Sequence, residues 1–121
     1  MSKSTKTVLI VEDETLIRMN AADRIAQAGW RALEAGNADE ALTILNREAS
    51  VTVLFTDINM PGLMSGLDLA ECVCRSHPGI QIIVTSGKWV GPPEALPANA
   101  TFLPKPYHLE DLVRHVMTGL S

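Results

Sequence analysis

The sequence predicts an α/β fold in which a doubly wound, five-stranded parallel sheet of order 2-1-3-4-5 carries helices on both faces. One observation predicts it. Short apolar strand-like segments alternate five times with segments whose apolar residues recur at helical spacing. Such alternation favours parallel strands with right-handed crossovers, and 2-1-3-4-5 is a common order for five strands. Because ligands of these sheets bind beyond the carboxyl ends of the strands, we expect a site there.

The first half of the chain supplies three strands and two helices. Residues 7–11 and 51–56 are apolar and rich in β-branched side chains, as buried strands are, and residues 30–35 can form the strand between them. The first helix ends at Gly29. Its apolar residues at helical spacing are Leu16, Ile17, Ala21, Ile25 and Ala28. Those of the second helix are Ala38, Ala41, Leu42 and Leu45.

The second half supplies two more strands and the remaining helices. Gly66 precedes a third helix that ends before Pro78, because the residue before a proline disfavours helical geometry. Strands are predicted at residues 80–84 and 100–103. Prolines between residues 88 and 99 allow only a short fourth helix, in a segment that also carries Trp89. The final helix ends at Gly119 and is indicated by Leu109, Leu112, Val113 and Val116.

The length and composition are those of one globular domain. The chain has 121 residues, of which 46% are hydrophobic and 20% charged. We expect a single domain over residues 1–121, with its core at about 7–119, and no effector domain. The net charge of -4 and the lack of a Lys/Arg cluster argue against direct binding of nucleic acid.

The sequence also predicts where the protein resides. Its apolar runs are too short for a signal peptide or a membrane span, so we expect no membrane association. Cys72 and Cys74 lie two residues apart in a helical pattern, where their side chains point to different sides and cannot form a disulfide with each other. A reducing, cytoplasmic location follows.

Three acidic residues follow two neighbouring strands of the predicted sheet. Glu12 and Asp13 come directly after the first strand, and Asp57 follows the third. Carboxylates about 5 Å apart repel by roughly 3 kcal/mol at an effective dielectric near 20, so three together require a cation or raised pKa values. Mg²⁺ suits oxygen ligands, whereas no His or Cys lies beside these strand ends to favour zinc. The sequence therefore predicts a magnesium site.

Each candidate also has an ordinary structural interpretation. Asp13 could cap the first helix while Glu12 is solvated, and Asp57 could be a turn residue. Ser86 could be a loop hydroxyl and Lys105 a surface lysine. Their common position at the ends of strands, on one edge of the sheet, favours a joint site over these separate roles.

Several short motifs resemble the receiver domain of two-component response regulators. They are residues 8–14 (VLIVEDE), 56–61 (TDINMP), Gly66, residues 83–87 (IVTSG) and residues 102–106 (FLPKP). The resemblance covers essentially the whole chain, and the order and spacing of the motifs make it specific. It departs from the usual pattern by one extra residue between Pro61 and Gly66 and by the proline-rich segment after Ser86.

The resemblance implies a phosphoacceptor and a metal site. Asp57 matches the aspartate that receives a phosphoryl group. Asp13 and Asp57 match direct Mg²⁺ ligands, Glu12 matches a ligand that binds through water, and Asn59 would supply its backbone carbonyl. Such a carboxylate suffices as nucleophile because phosphoryl transfer depends mainly on positioning and electrostatics.

The resemblance also implies a switch and its partners. Ser86 matches the hydroxyl that binds the phosphoryl group, Lys105 the lysine that pairs with it, and Phe102 an aromatic residue that changes rotamer on activation. Lys105–Pro106 is expected to be a cis bond. The donor would be a phosphohistidine on a sensor histidine kinase or a histidine phosphotransfer protein, and the output an unknown downstream protein target.

Two other function classes share this fold. A flavodoxin-like cofactor binder would need a phosphate-binding loop after the first strand, where Glu12 and Asp13 would repel phosphate. A Mg²⁺-dependent phosphatase with an aspartate nucleophile commonly has a second acid two residues later, where this chain has Asn59. We expect a phosphoacceptor signalling domain instead of a turnover enzyme, with at most self-catalysed phosphorylation and dephosphorylation.

Overall fold

A computed structural model describes residues 6–60, 62–87 and 96–119, and it confirms the predicted α/β architecture. Five parallel strands form one sheet in the order β2-β1-β3-β4-β5. Along the described chain the elements are β1 Thr7–Val11, α1 Thr15–Gln27, β2 Arg31–Ala35, α2 Ala38–Arg47, β3 Val53–Asp57, α3 Gly66–Ser76, β4 Gln81–Ser86, β5 Ala100–Pro104 and α4 Leu109–Thr118. None of these helices combines the length and apolar character needed to cross a bilayer.

Strand boundaries differ from the predicted ones by one or two residues. β2 begins at Arg31, after Trp30, and β3 is shifted towards Asp57. β4 continues to Ser86, two residues beyond its predicted end. Asp57 and Ser86 therefore end strands instead of following them, because Asp57 still pairs with Thr85, and Ser86 with Pro104. The sheet itself fixes the backbone of both residues.

The short helix predicted within residues 88–99 cannot be compared with the structure over most of its length. Residues 88–95, including Trp89, and Pro61 lie outside the described residues.

Alternate side chains along each strand divide the core between two faces of the sheet. α1 and α4 cover one face, and α2 and α3 cover the other. The first face buries Val8, Ile10, Ala21, Ile25, Val53, Phe55, Ile83, Leu112 and Val116. The second buries Leu9, Val11, Ala41, Leu45, Leu54, Leu69, Val73, Ile82 and Val84. This sandwich of two helix layers holds the sheet rigidly, and its carboxyl edge is where polar residues collect.

One residue of the first helix is an exception to its predicted apolar face, since Ala21 and Ile25 are buried as expected. Leu16 was assigned to the apolar side of the first helix, yet it is 72% exposed. Ala21, Ala22 and Ile25 are the buried residues of α1, and they set the direction of the face towards the sheet. Leu16 lies outside that face. Helical spacing alone does not show which apolar residues of the helix pack against the sheet.

Local signals fix one end of each of three helices. The side chain of Asn37 accepts a hydrogen bond from the N–H of Glu40 at the start of α2, and Ser65 and Asp68 form a reciprocal capping box at the start of α3. Gly29 has a φ of +91° directly after α1, a conformation that glycine adopts most easily. The N-terminal caps of α2 and α3 lie at the carboxyl edge of the sheet, because each of these helices follows a strand.

Candidate functional site

Four predicted site residues meet at the carboxyl edge of the sheet. Glu12 follows β1 directly, Asp57 ends β3, Ser86 ends β4 and Lys105 follows β5. The backbone N–H of Lys105 donates to the carbonyl of Ser86 at 3.2 Å, which holds the ends of the neighbouring strands β4 and β5 together. The parallel register thus joins residues that are far apart in the sequence, as their shared position predicted.

Lys105 joins the two buried carboxylates. Its Nζ lies 2.8 Å from Oδ2 of Asp57 and 3.2 Å from Oε1 of Glu12. Asp57 is only 6% exposed and Glu12 only 4%. Glu12 is therefore not a solvated acid, Asp57 is not an ordinary turn residue and Lys105 is not a free surface lysine. Lys105–Pro106 is a cis peptide bond, as the resemblance implied.

Asp13 completes an acidic cluster with Glu12 and Asp57. One carboxylate oxygen from each lies within 4.8 Å of the others, and Asp13 is the exposed member. Asp13 does not cap α1, because the N-cap residue is Glu14 and makes no side-chain capping bond. Lys105 supplies one positive charge to this cluster of three carboxylates.

The donor set fits a hard divalent cation. Three carboxylate oxygens at the end of a sheet, two of them buried, are ligands that Mg²⁺ prefers, and the exposed side of Asp13 leaves room for the water that Mg²⁺ retains. Which of the three would bind the ion directly stays a prediction.

Burial and neighbouring charges have opposing effects on the pKa values of Glu12 and Lys105. Burial raises the pKa of Glu12, and the negative charge of Asp57 adds to the rise, although the N–H of Glu14 and Lys105 act against it. Burial acts to lower the pKa of Lys105, but the hydrogen bond and charge of Asp57, with those of Glu12, outweigh burial and raise it. Lys105 therefore remains cationic.

Asn59 contacts the site in a way that the sequence did not predict. Its backbone N–H donates to Oδ1 of Asp57 at 3.0 Å, and its side-chain amide donates to Oγ of Ser86 at 2.9 Å. The sequence assigned only the backbone carbonyl of Asn59, as a metal ligand, and that role stays a prediction. The available signal was its polar side chain two residues beyond Asp57, next to a second strand end.

Gly66 packs directly against the backbone that carries Asp57. A Cβ added at Gly66 would overlap the carbonyl oxygen of Asp57 and lie 2.6 Å from its carbonyl carbon. The N–H of Gly66 also donates to the carbonyl of Ile58 at 2.9 Å. The start of α3 therefore supports the end of β3, and only a residue without a side chain fits there.

Two aromatic residues flank the site on opposite faces of the sheet. Phe102 is partly buried and packs with the α2 and α3 side of the core; its change of rotamer stays a prediction. Tyr107 stacks edge to face on Phe55, with ring centroids 5.6 Å apart. Burial raises the pKa of Tyr107 to about 12. No sequence pattern selects Tyr107, because its contact partner Phe55 lies on β3, far away in the chain.

A cavity of about 490 Å³ opens beside Lys105. It lies between α1 and the loop that follows β5, and it is lined by Ile17, Asn20, Gly87, Lys105, Pro106, Tyr107 and Leu109. A Cβ at Gly87 would make only an ordinary contact of 3.6 Å with Cβ of Lys105. The site is thus open to a partner from this side.

The model of the response regulator receiver domain matches residues 8–117, nearly the whole chain and every site residue described above. The chain belongs to the response regulator receiver domain family. Receiver domains serve two-component signalling and accept phosphoryl groups from histidine kinases. The flavodoxin-like and phosphatase alternatives are not favoured.

This receiver domain is similar to two curated proteins of Brucella abortus. It is 31% identical over 114 residues to the response regulator receiver protein CpdR of Brucella abortus, and the match covers 92% of this chain and 93% of CpdR. It is 36% identical over 119 residues to the sensor kinase CckA of the same organism. That match covers 95% of this chain but only 12% of CckA, so the kinase has a much longer chain.

Solved structures share the same fold. The receiver domain of the hybrid histidine kinase CckA superposes with a TM-score of 0.81 at 29% identity, covering 95% of this chain and 99% of that one. The response regulator TrrA of Thermotoga maritima, solved with Mg²⁺ and BeF, gives a TM-score of 0.84 at 25% identity. Coverage is 96% of this receiver domain and 100% of TrrA.

Proposed function

We propose that Asp57 accepts a phosphoryl group from phosphohistidine and that Mg²⁺ at Glu12, Asp13 and Asp57 supports the transfer. The observation that carries this proposal is the pair of contacts from Lys105 Nζ to Asp57 and Glu12, at 2.8 and 3.2 Å, within a cluster of three carboxylates. Lys105 supplies one cation beside Asp57, and Glu12 and Asp13 bring two further carboxylates close to it. The match of the family model to residues 8–117 supports the same role.

The residues of the chain divide the work of transfer. A carboxylate oxygen of Asp57 attacks phosphorus, forming an O–P bond while the P–N bond of the donor breaks and its electron pair returns to the imidazole. The Asn59 N–H holds Oδ1 of Asp57, and Lys105 stabilises negative charge on the transferred group. Bound Mg²⁺ would supply further charge neutralisation and orient the phosphoryl oxygens.

We propose that Ser86 and Phe102 carry the signal away from Asp57. The Ser86 hydroxyl would bind a phosphoryl oxygen, and Phe102, on β5 beside β4, would change its packing against the core. Phosphorylation adds strong acceptor oxygens and negative charge at the edge of the sheet, which suffices to bias two conformations separated by a few kcal/mol.

The proposed partners follow from this chemistry. The donor would be a sensor histidine kinase or a histidine phosphotransfer protein, and the output a downstream protein target recognised in one phosphorylation state. We propose a cytoplasmic location, in which Cys72 and Cys74 stay reduced. The domain would act without substrate turnover, catalysing at most its own phosphorylation and the hydrolysis of its acyl phosphate.

The proposal is tested by stoichiometric labelling. Acetyl phosphate and Mg²⁺ should add one phosphoryl group to the unaltered chain, as measured by intact mass spectrometry. Asp57→Asn should abolish the label while leaving the far-ultraviolet circular dichroism unchanged. Asp23→Asn, an exposed aspartate on α1, is the matched control and should label normally. Undiminished labelling of the Asp57→Asn chain would overturn the assignment.

A further inference from the structure

A guanidinium outside the acidic cluster holds the loop that carries two of its members. Nη1 of Arg18, on α1, donates to the backbone carbonyl of Glu12 at 2.9 Å. Nε of the same side chain donates to Oε1 of Glu34 on β2 at 3.0 Å. The side chain of Arg18 is only 19% exposed. The side chain therefore connects α1 to β2 and also binds the loop after β1 that carries Glu12 and Asp13.

The contact acts on the peptide unit that joins Glu12 to Asp13. Glu12 is also fixed by its N–H, which donates to Ala35 at 3.0 Å, and by its carboxylate, which accepts from Glu14 and Lys105. Asp13 is exposed, so the direction of its carboxylate depends on the plane of the preceding peptide. Arg18 fixes that plane through the carbonyl oxygen of Glu12.

Arginine suits this task because its planar fork places two donors in a fixed relationship. A lysine could reach either the carbonyl of Glu12 or the carboxylate of Glu34, but it lacks the rigid geometry that joins them. Gly36, at the end of β2, completes the arrangement: a Cβ there would lie 3.5 Å from Nη1 of Arg18. The guanidinium is thus set between the loop after β1 and the loop after β2.

We infer that Arg18 is a positioning residue for the metal site, acting through the Glu12–Asp13 peptide. The inference rests on the proposed Mg²⁺ site and adds a residue that is not itself a ligand. Its effect has a distinctive sign. If Arg18 acted only as a nearby positive charge, removing it would strengthen Mg²⁺ binding, because like charges repel. If it positions Asp13, removing it weakens Mg²⁺ binding.

The test is a Mg²⁺ titration of the isotopically labelled chain, in which the NMR shifts of the backbone amides are measured to obtain the Kd. Arg18→Met should raise the Kd for Mg²⁺ by about tenfold, the order seen when supports of metal ligands are removed. Arg18→Lys should fall between this variant and the unaltered chain. Arg24→Met is the matched control: Arg24 lies on the same helix but pairs with Glu110 at 2.8 Å, so its loss should leave the Kd within about twofold.

The amide spectra separate positioning from a general loss of structure. In the Arg18 variants, shifts of core amides on β3 and β4 should stay at their native positions while the Kd rises. An unchanged or lower Kd in Arg18→Met, or an equal rise in Arg24→Met, would overturn the role of Arg18 alone. Failure of the unaltered chain to bind Mg²⁺ would overturn the proposed metal site and this inference with it.

Discussion

The side-chain amide of Asn59 donates a 2.9 Å hydrogen bond to the hydroxyl oxygen of Ser86, across the ends of β3 and β4. The same residue holds Oδ1 of Asp57 through its backbone N–H. One residue thus touches both the proposed phosphoacceptor and the proposed switch hydroxyl. In this contact the hydroxyl oxygen of Ser86 is the hydrogen-bond acceptor.

The Asn59–Ser86 bond is expected to contribute measurably to stability. In a double-mutant cycle of Asn59→Ala and Ser86→Ala, the coupling energy should be about 0.5–1.5 kcal/mol, the net value of a typical hydrogen bond. Urea unfolding of the unaltered, single and double variants measures it. Effects that add within about 0.3 kcal/mol would show that the two side chains are not coupled.

Lys105 is expected to compete with Mg²⁺ for the same carboxylates. Lys105→Ala should lower the stability of the metal-free protein by about 1–3 kcal/mol, because Asp57 and Glu12 lose their shared cation. Mg²⁺ should bind this variant more tightly and recover more stability than it gives the unaltered chain. Phosphorylation-linked conformational change should be lost.

Thermal unfolding with chelator and with Mg²⁺ measures the first two effects for Lys105→Ala, and amide NMR after beryllofluoride addition measures the third. A variant that gains no more from Mg²⁺ than the unaltered chain would contradict the competition. A normal activated spectrum would refute the role of Lys105 in the switch.

Gly66→Ala is expected to disturb both stability and the site. The new methyl group would overlap the carbonyl of Asp57, so the start of α3 or the end of β3 must move, at a cost of about 1–3 kcal/mol. Gly79→Ala is the control, since a Cβ there meets nothing within 4 Å, and its effect should be within about 0.5 kcal/mol. Equal effects in urea unfolding would show that the close approach at Gly66 does not constrain Asp57.

The raised pKa of Tyr107 predicts that the folded protein loses stability in alkaline solution. Burial raises its pKa to about 12 from the ordinary value of 10.0, so the folded protein holds the phenol proton more tightly than the unfolded chain does. The unfolded chain therefore loses that proton first as pH rises. The resulting stability is fully present below about pH 10 and is lost as pH rises through about 12.

The chain has one tyrosine, so the ultraviolet absorbance of the phenolate reports Tyr107 alone. Unfolding of the unaltered chain and of Tyr107→Phe should be compared on both sides of pH 10. The difference in unfolding free energy between the two should change between about pH 10 and 12. A phenolate that titrates near 10 in the folded protein would contradict the burial of the hydroxyl.

The sequence determined the sheet and the set of candidate residues. The alternation of strand and helix patterns predicted a parallel sheet, and the common order for five such strands, β2-β1-β3-β4-β5, is the one observed. Acids after β1 and at the end of β3, with a lysine after β5, then had to share one edge. These residues converge because all the strands run in the same direction, which the alternation of strands and helices implies.

Tertiary structure decided the contacts that depend on packing across elements. Leu16 and Ile25 both fit helical spacing, yet only the angle of α1 on the sheet buries Ile25 and exposes Leu16. Arg18 on α1 reaches Glu34 on β2, and Asn59 reaches Ser86 because the ends of β3 and β4 lie beside each other. Contacts of this kind join residues far apart in the chain, so the periodicity of a single segment does not predict them.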